Sequence, residues 1–165
     1  IPLVAVESIC RRAHDENALM ILNPAPAQRL STDVLSNVDI ITPNETEAQI
    51  LTGVRVETED DAFRAGKILC DKGVKQVIIT LGSKGAYIFD GSTSLLVPAF
   101  KVNAVDTTAA GDVFNGALCT ALSERMEIES AVRFASAASA LAVTRKGAQD
   151  SAPTRKEVEL FLKKH

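Results

Sequence analysis

The chain has 165 residues, 46% hydrophobic and 24% charged, with a formal net charge of −3. That is the balance of a soluble globular protein, and it reads as one domain with a sizeable core. It carries no basic cluster, no apolar run near the ~18 residues of a membrane span and no visible secretory pattern, so no nucleic-acid or membrane partner is expected, and the cytoplasm is the expected compartment.

The first residue is Ile1, and Pro2 leads straight into a helical pattern over 2–15, as expected of a cut inside a larger protein. In that helix Val6, Ile9, Cys10 and Ala13 form the apolar face, opposite Arg11, Arg12 and Asp15. Residues 18–22 and 38–42 read as short buried strands, stopped by Asn23-Pro24-Ala25-Pro26 and by Pro43. Asn44 caps a short helix over 45–51 that ends at Gly53, and Thr58, with Asp61 three residues on, begins a helix over 58–72 closed by Gly73. A β-branched strand covers 76–81, and strands 86–89 and 94–97 flank the hairpin signal Asp90-Gly91. A strand-like run over 100–105 leads to helices over 112–122, 129–144 and 154–163. Cys10, Cys70 and Cys119 are odd in number and far apart in helical stretches, so buried free thiols are expected rather than a metal or disulfide framework. Helices alternating with short apolar strands predict an α/β layered sheet, parallel except near the hairpin, with ligands bound beyond the carboxyl ends of the strands.

The chemistry concentrates at Asp106-Thr107-Thr108-Ala109-Ala110-Gly111-Asp112-Val113-Phe114-Asn115-Gly116. Small residues at 109–111 leave backbone N–H groups bare at a helix N-terminus, where an anion is favoured. Asp112 puts a carboxylate into that anion site. Such a charge repels a phosphate, but it suits a base that takes the proton of an attacking hydroxyl while the N–H groups hold the charge on a transferring phosphoryl group. Three further segments each admit two readings. Thr80-Leu81-Gly82-Ser83-Lys84-Gly85 is either a nucleotide loop or a bend between strands. Asn44-Glu45-Thr46-Glu47 is either a helix cap with acids in its first turn or a pair of oxygen ligands facing phosphates through Mg²⁺. Arg145-Lys146-Gly147-Ala148 is either a basic helix end with a Gly cap or a loop whose carbonyls hold a monovalent cation. Asp106 itself also fits a turn residue bonded to the Thr108 N–H. No Ser/His/Asp, H-E-x-x-H or P-loop pattern is present.

The order of these segments, together with Thr144-Arg145-Lys146-Gly147-Ala148, resembles the carboxyl-terminal half of the ribokinase-like (PfkB) family of sugar kinases over nearly the whole chain. Ala109 stands where many relatives have Gly. The resemblance implies a three-layer α/β/α fold with a mostly parallel sheet, truncated at its N-terminus. It implies ATP-dependent phosphorylation of a sugar's primary hydroxyl, with D-ribose the expected sugar. The alternatives are a fructose-, deoxyribose- or nucleoside-directed relative, or a non-catalytic nucleotide-binding module. By the same resemblance Asp112 is the base and the N–H groups of Ala109, Ala110 and Gly111 are the anion hole. Asn44 and Glu47 serve the phosphates and Mg²⁺, and Thr80, Gly82, Ser83, Lys84 and Gly85 line the nucleotide site, with Ser136 near the adenine. Asp106, Thr108, Ala142, Arg145, Gly147 and Ser151 match positions around an activating K⁺. In the family the sugar clamp, the lid and the homodimer contacts belong to the amino-terminal half. The isolated chain is therefore expected to have little activity, and an exposed sheet edge is expected to favour self-association.

Overall fold

Short apolar runs form the strands, β-branched in β2 and β3, and amphipathic runs form the helices in the computed structural model, which describes residues 1–165. They fall into two compact units, Ile1–Leu81 with Tyr87–Leu96, and Gly82–Ala86 with Val97–His165. No helix is long and apolar enough to cross a membrane.

The first unit contains α1 (Leu3–Asp15), β1 (Ile21–Leu22), α2 (Thr32–Leu35), β2 (Ile40–Ile41), α3 (Glu45–Thr52), α4 (Glu59–Asp71) and β3 (Gln76–Thr80). Two more strands, β4 (Gly85–Phe89) and β5 (Ser94–Pro98), complete a five-stranded sheet ordered β1-β2-β3-β4-β5. β1 and β2 pair in parallel with Ile21 opposite Ile40, and β2 and β3 with Ile41 opposite Val77. Hydrogen bonds extend the first ladder past its two-residue core, from Ile40 N to Met20 O (3.0 Å) and from Thr42 N to Leu22 O (3.0 Å). The links from β3 to β4 and from β4 to β5 are each four residues, too short for a parallel crossover, so the sheet turns antiparallel toward β5. Val77, Ile78 and Ile79 of β3 are wholly buried, as a central strand covered on both faces requires. Gly66 lets α4 lie close on β4, since a Cβ there would sit 3.1 Å from the Phe89 ring.

The second unit carries α5 (Ala110–Ser123), α6 (Ile128–Ala142) and α7 (Arg155–Leu162). α5 and α6 pack along each other through small side chains; Ala131, Ala135, Ala138 and Ala142 of α6 are buried.

Several local expectations are corrected. Residues 100–105 form no strand; the N–H groups of Val105 and Asp106 both go to the Val143 carbonyl (2.7 and 3.1 Å) at the end of α6, not to a ladder. Helix α5 begins at Ala110, because the small residues before Asp112 already take helical geometry. α2 was not anticipated; it is only four residues long and is capped by Ser31. In α1 Cys10 is buried but Ile9 is 52% exposed, and Cys119 lies exposed on α5, so not every thiol is buried.

Candidate active site

In the second unit, a short turn joins Val105 to α5. Asp106 organises the turn. One of its carboxylate oxygens accepts from the Thr108 N–H (3.0 Å) and hydroxyl, and the other accepts from the Gly147 N–H (3.1 Å). The Thr108 hydroxyl first, then the N–H groups of Thr108 and Gly147, hold the Asp106 carboxyl below the usual range. Asp106 thereby joins the turn before α5 to the loop after α6. It is both the turn residue its local sequence suggests and a cross-link between two segments that are 41 positions apart.

Ala109 is the buried cap residue of α5, and Ala110, Gly111 and Asp112 form the first turn, where an α-helix leaves its N–H groups without internal partners. Of the three donors expected at an anion site, the Ala110 N–H already donates to the Thr107 carbonyl (3.2 Å). Gly111 has ordinary helical geometry, and a Cβ built on it would find nothing within 4 Å. Asp112 is exposed, and with Ala109, Gly116, Phe134, Ala148 and Arg155 it lines a cavity of about 510 Å³. A carboxylate at the mouth of an open, mostly apolar concavity can accept a proton from a bound hydroxyl, and the adjoining first turn of α5 can hold an anion.

The residues matched to a cation fall in one loop cluster with Asp106. The Arg145 N–H donates to the Ala142 carbonyl (2.9 Å), the Ser151 hydroxyl to the Ala148 carbonyl (2.7 Å), and Ser151 is buried. The carbonyls of Thr108, Arg145 and Gly147 accept no backbone hydrogen bond. Backbone carbonyls, with the Asp106 carboxylate on the same loop, are the kind of oxygen donor that suits a large monovalent cation. The Arg145 guanidinium is turned to another task, an ion pair with Glu157 (2.7 Å).

In the first unit Asn44 and Thr80 stand side by side at the carboxyl ends of β2 and β3, linked by an isolated parallel bridge and by the Thr80 N–H on the Pro43 carbonyl (2.9 Å). Asn44 caps α3. Its side-chain oxygen accepts from the Glu47 N–H (2.8 Å), and one Glu47 carboxylate oxygen accepts from the Asn44 N–H (2.8 Å). The local capping reading is thus realised, and it leaves the second carboxylate oxygen of Glu47 for other partners. In the other unit Gly82, Ser83 and Lys84 form an exposed single turn, with Gly82 at φ +53° and open space around it. Gly85 serves the sheet: its φ is +120°, and a Cβ would come 2.0 Å from the Val97 carbonyl oxygen.

Ser136 lies two residues from both Phe134 and Ala138, so it projects from the opposite face of α6 to the one lining the cavity. Two residues that sequence reasoning missed meet the turn directly. Val143 accepts the two N–H groups that enter it, and the Ser139 hydroxyl donates to the Ala110 carbonyl (3.0 Å) at its exit. The available signal for Ser139 was a hydroxyl in a row of buried alanines.

The model of the pfkB family of carbohydrate kinases matches residues 1–155. A ribokinase of Haemophilus influenzae is 51% identical over 161 residues, which cover 98% of this chain and 53% of that protein. An Arabidopsis thaliana ribokinase solved with ribose and ATP superposes with a TM-score of 0.94 at 36% identity, covering 99% of this chain and 53% of that one. A Thermotoga maritima ribokinase superposes with a TM-score of 0.88 at 43% identity, covering 99% of this chain and 54% of that one. The chain spans about half the length of the curated relatives it matches. On the extent of the family match and of these likenesses, the chain belongs to the pfkB family of carbohydrate kinases and has its ribokinase-like α/β/α fold.

Proposed function

We propose that this chain is the nucleotide-binding and catalytic part of an ATP-dependent sugar kinase that converts D-ribose to D-ribose 5-phosphate. The observation that carries the proposal is the carboxylate of Asp112 in the first turn of α5, beside the exposed backbone of Gly111. Asp112 takes the proton from the sugar's primary hydroxyl as the oxygen bonds to the γ-phosphorus. The bond from that phosphorus to the bridging oxygen breaks and ADP leaves. The N–H groups of Ala109 and Gly111, with that of Ala110 shared with the Thr107 carbonyl, hold the charge on the transferring group, and Asp112 returns its proton to solvent. The relative solved with ribose and ATP supports both substrates.

Asn44 and Glu47 would serve the phosphates and Mg²⁺, which would offset the phosphate charge; one or two carboxylates with phosphate oxygens suffice for that ion. Thr80, Gly82, Ser83, Lys84 and Gly85 line the nucleotide site, with Ser136 near the base. The hydrogen bond that joins Asp106 to Gly147 supports a K⁺ site at Asp106, Thr108, Ala142, Arg145, Gly147 and Ser151, where the ion would stiffen the anion-binding turn. The sugar clamp and the dimer contacts come from the rest of the intact kinase, which works in the cytoplasm. Calorimetric titration of Mg·ATP into this chain, in potassium and then in sodium, tests the nucleotide and cation sites. Tighter binding in potassium is expected. Absence of binding here and in the intact kinase would overturn the assignment.

A further inference from the structure

One turn of α6 grips both flanks of the anion-binding turn. The Val143 carbonyl receives the N–H groups of Val105 and Asp106, and Val143 in turn donates its own N–H to the Ser139 carbonyl (3.0 Å). From the same turn, the partly buried Ser139 hydroxyl reaches the Ala110 carbonyl at 3.0 Å. Ala135 and Ala142, one turn to either side of Ser139, are buried and short enough to let a serine oxygen reach the backbone of the neighbouring helix. The bond is not a requirement of helix formation, since a first-turn carbonyl is supplied by the N–H four residues on.

The accepting carbonyl and the Gly111 N–H belong to one planar peptide unit. Fixing the oxygen fixes the direction of the N–H. Drawing electron density toward the oxygen also makes that N–H a stronger donor, as in any hydrogen-bonded chain of amides. Taking the function proposed above as given, we infer that Ser139 is a positioning residue for phosphoryl transfer, acting from behind the Ala110–Gly111 peptide without touching either substrate.

The test compares Ser139→Ala, Ser139→Thr and Asp112→Asn in the intact kinase, and follows the Gly111 amide by ¹⁵N NMR in this chain. Removing a direct oxyanion donor lowers kcat by roughly 10²–10³-fold. Loss of a group that acts through such a donor is expected to lower kcat by about tenfold, with KM for ATP and for sugar unchanged. Ser139→Thr, which keeps the hydroxyl, is expected to restore kcat. The Gly111 ¹⁵N resonance is expected to move upfield in Ser139→Ala without ligand. Unchanged kcat in Ser139→Ala alongside inactive Asp112→Asn would overturn this inference and leave the site assignment standing. So would a loss that Ser139→Thr fails to restore, or an unmoved Gly111 resonance. Full turnover in Asp112→Asn would overturn the assignment itself, and this inference with it.

Discussion

Gly111→Ala separates the two demands that meet at the start of α5. Gly111 is the second residue of the helix, its φ is not positive, and a Cβ built on it meets nothing within 4 Å. Folding alone would favour alanine. Glycine in a helix costs roughly 0.5–1 kcal/mol relative to alanine, through the entropy of the unfolded chain. For a chain of this size that corresponds to a rise of about 1–4 °C in Tm. The open space beside the residue is also where an anion must approach to meet the Gly111 N–H, and a methyl group there holds it off. Losing a charge-assisted hydrogen bond costs roughly 1.5–3 kcal/mol, so nucleotide affinity or turnover is expected to fall by about 10- to 150-fold. Thermal melts and Mg·ATP calorimetry on this chain, with turnover measured on the intact kinase, read the two effects separately. The expected outcome is a variant that is more stable and less active. A lower Tm would refute the account of the helix. Unchanged affinity and turnover would refute the placing of an anion at this peptide.

Asp112→Asn is expected to lower turnover by about 10²–10⁴-fold, the usual contribution of a general base, while calorimetry shows ATP binding retained. Gly85→Ala drives a Cβ to 2.0 Å from the Val97 carbonyl oxygen at a φ of +120°, so a loss of more than about 3 kcal/mol is expected in urea titrations. Gly82→Ala, at φ +53° with nothing nearby, is expected to cost only about 1–2 kcal/mol. The acid limb of stability provides a fourth check. The Thr154 N–H, then Arg145 and the Thr154 hydroxyl, pull the Glu157 carboxyl from 4.5 down to about 2. A depressed carboxyl means that the unfolded chain binds the proton more readily, so this contribution is complete above pH 4.5 and is lost as pH falls toward 2. Melts of Glu157→Gln across that range are expected to show a shallower acid limb, and an unaltered limb would discount the group.

The parts of the molecule governed by neighbours in sequence were legible before the structure. The reciprocal caps Asn44–Glu47 and Thr58–Asp61 and the left-handed Gly53 that ends α3 depend on residues within a turn of one another. The parallel pairing of β2 with β3 followed from the helices between them, whereas no helix was expected between β1 and β2, which also pair in parallel. What failed depended on distant chain. Residues 100–105 resemble a strand, yet the donors at Val105 and Asp106 are claimed by Val143, and no local pattern announces such a bond. Ile9 and Cys10 are both apolar neighbours on a helix, and only the packing around α1 decides that Cys10 goes inside. The motif pointed to Asp112 and to the helix start that carries it, whereas the Ser139 contact was hidden because a serine among alanines differs by a single oxygen atom.

The alanine face of α6 also governs how the protein can vary. Ordinary cores absorb a substitution by shifting neighbouring side chains among rotamers. Ala131, Ala135, Ala138 and Ala142 have no rotamers to shift. At Ala131, Ala135 and Ala142, away from the cavity that Ala138 lines, an added methylene presses on the helix packing itself, and α5 carries the 109–112 turn at its tip. Alanines that line no part of the cavity are therefore held to a close steric tolerance, and drift in this family member should be narrow at Ala131, Ala135 and Ala142.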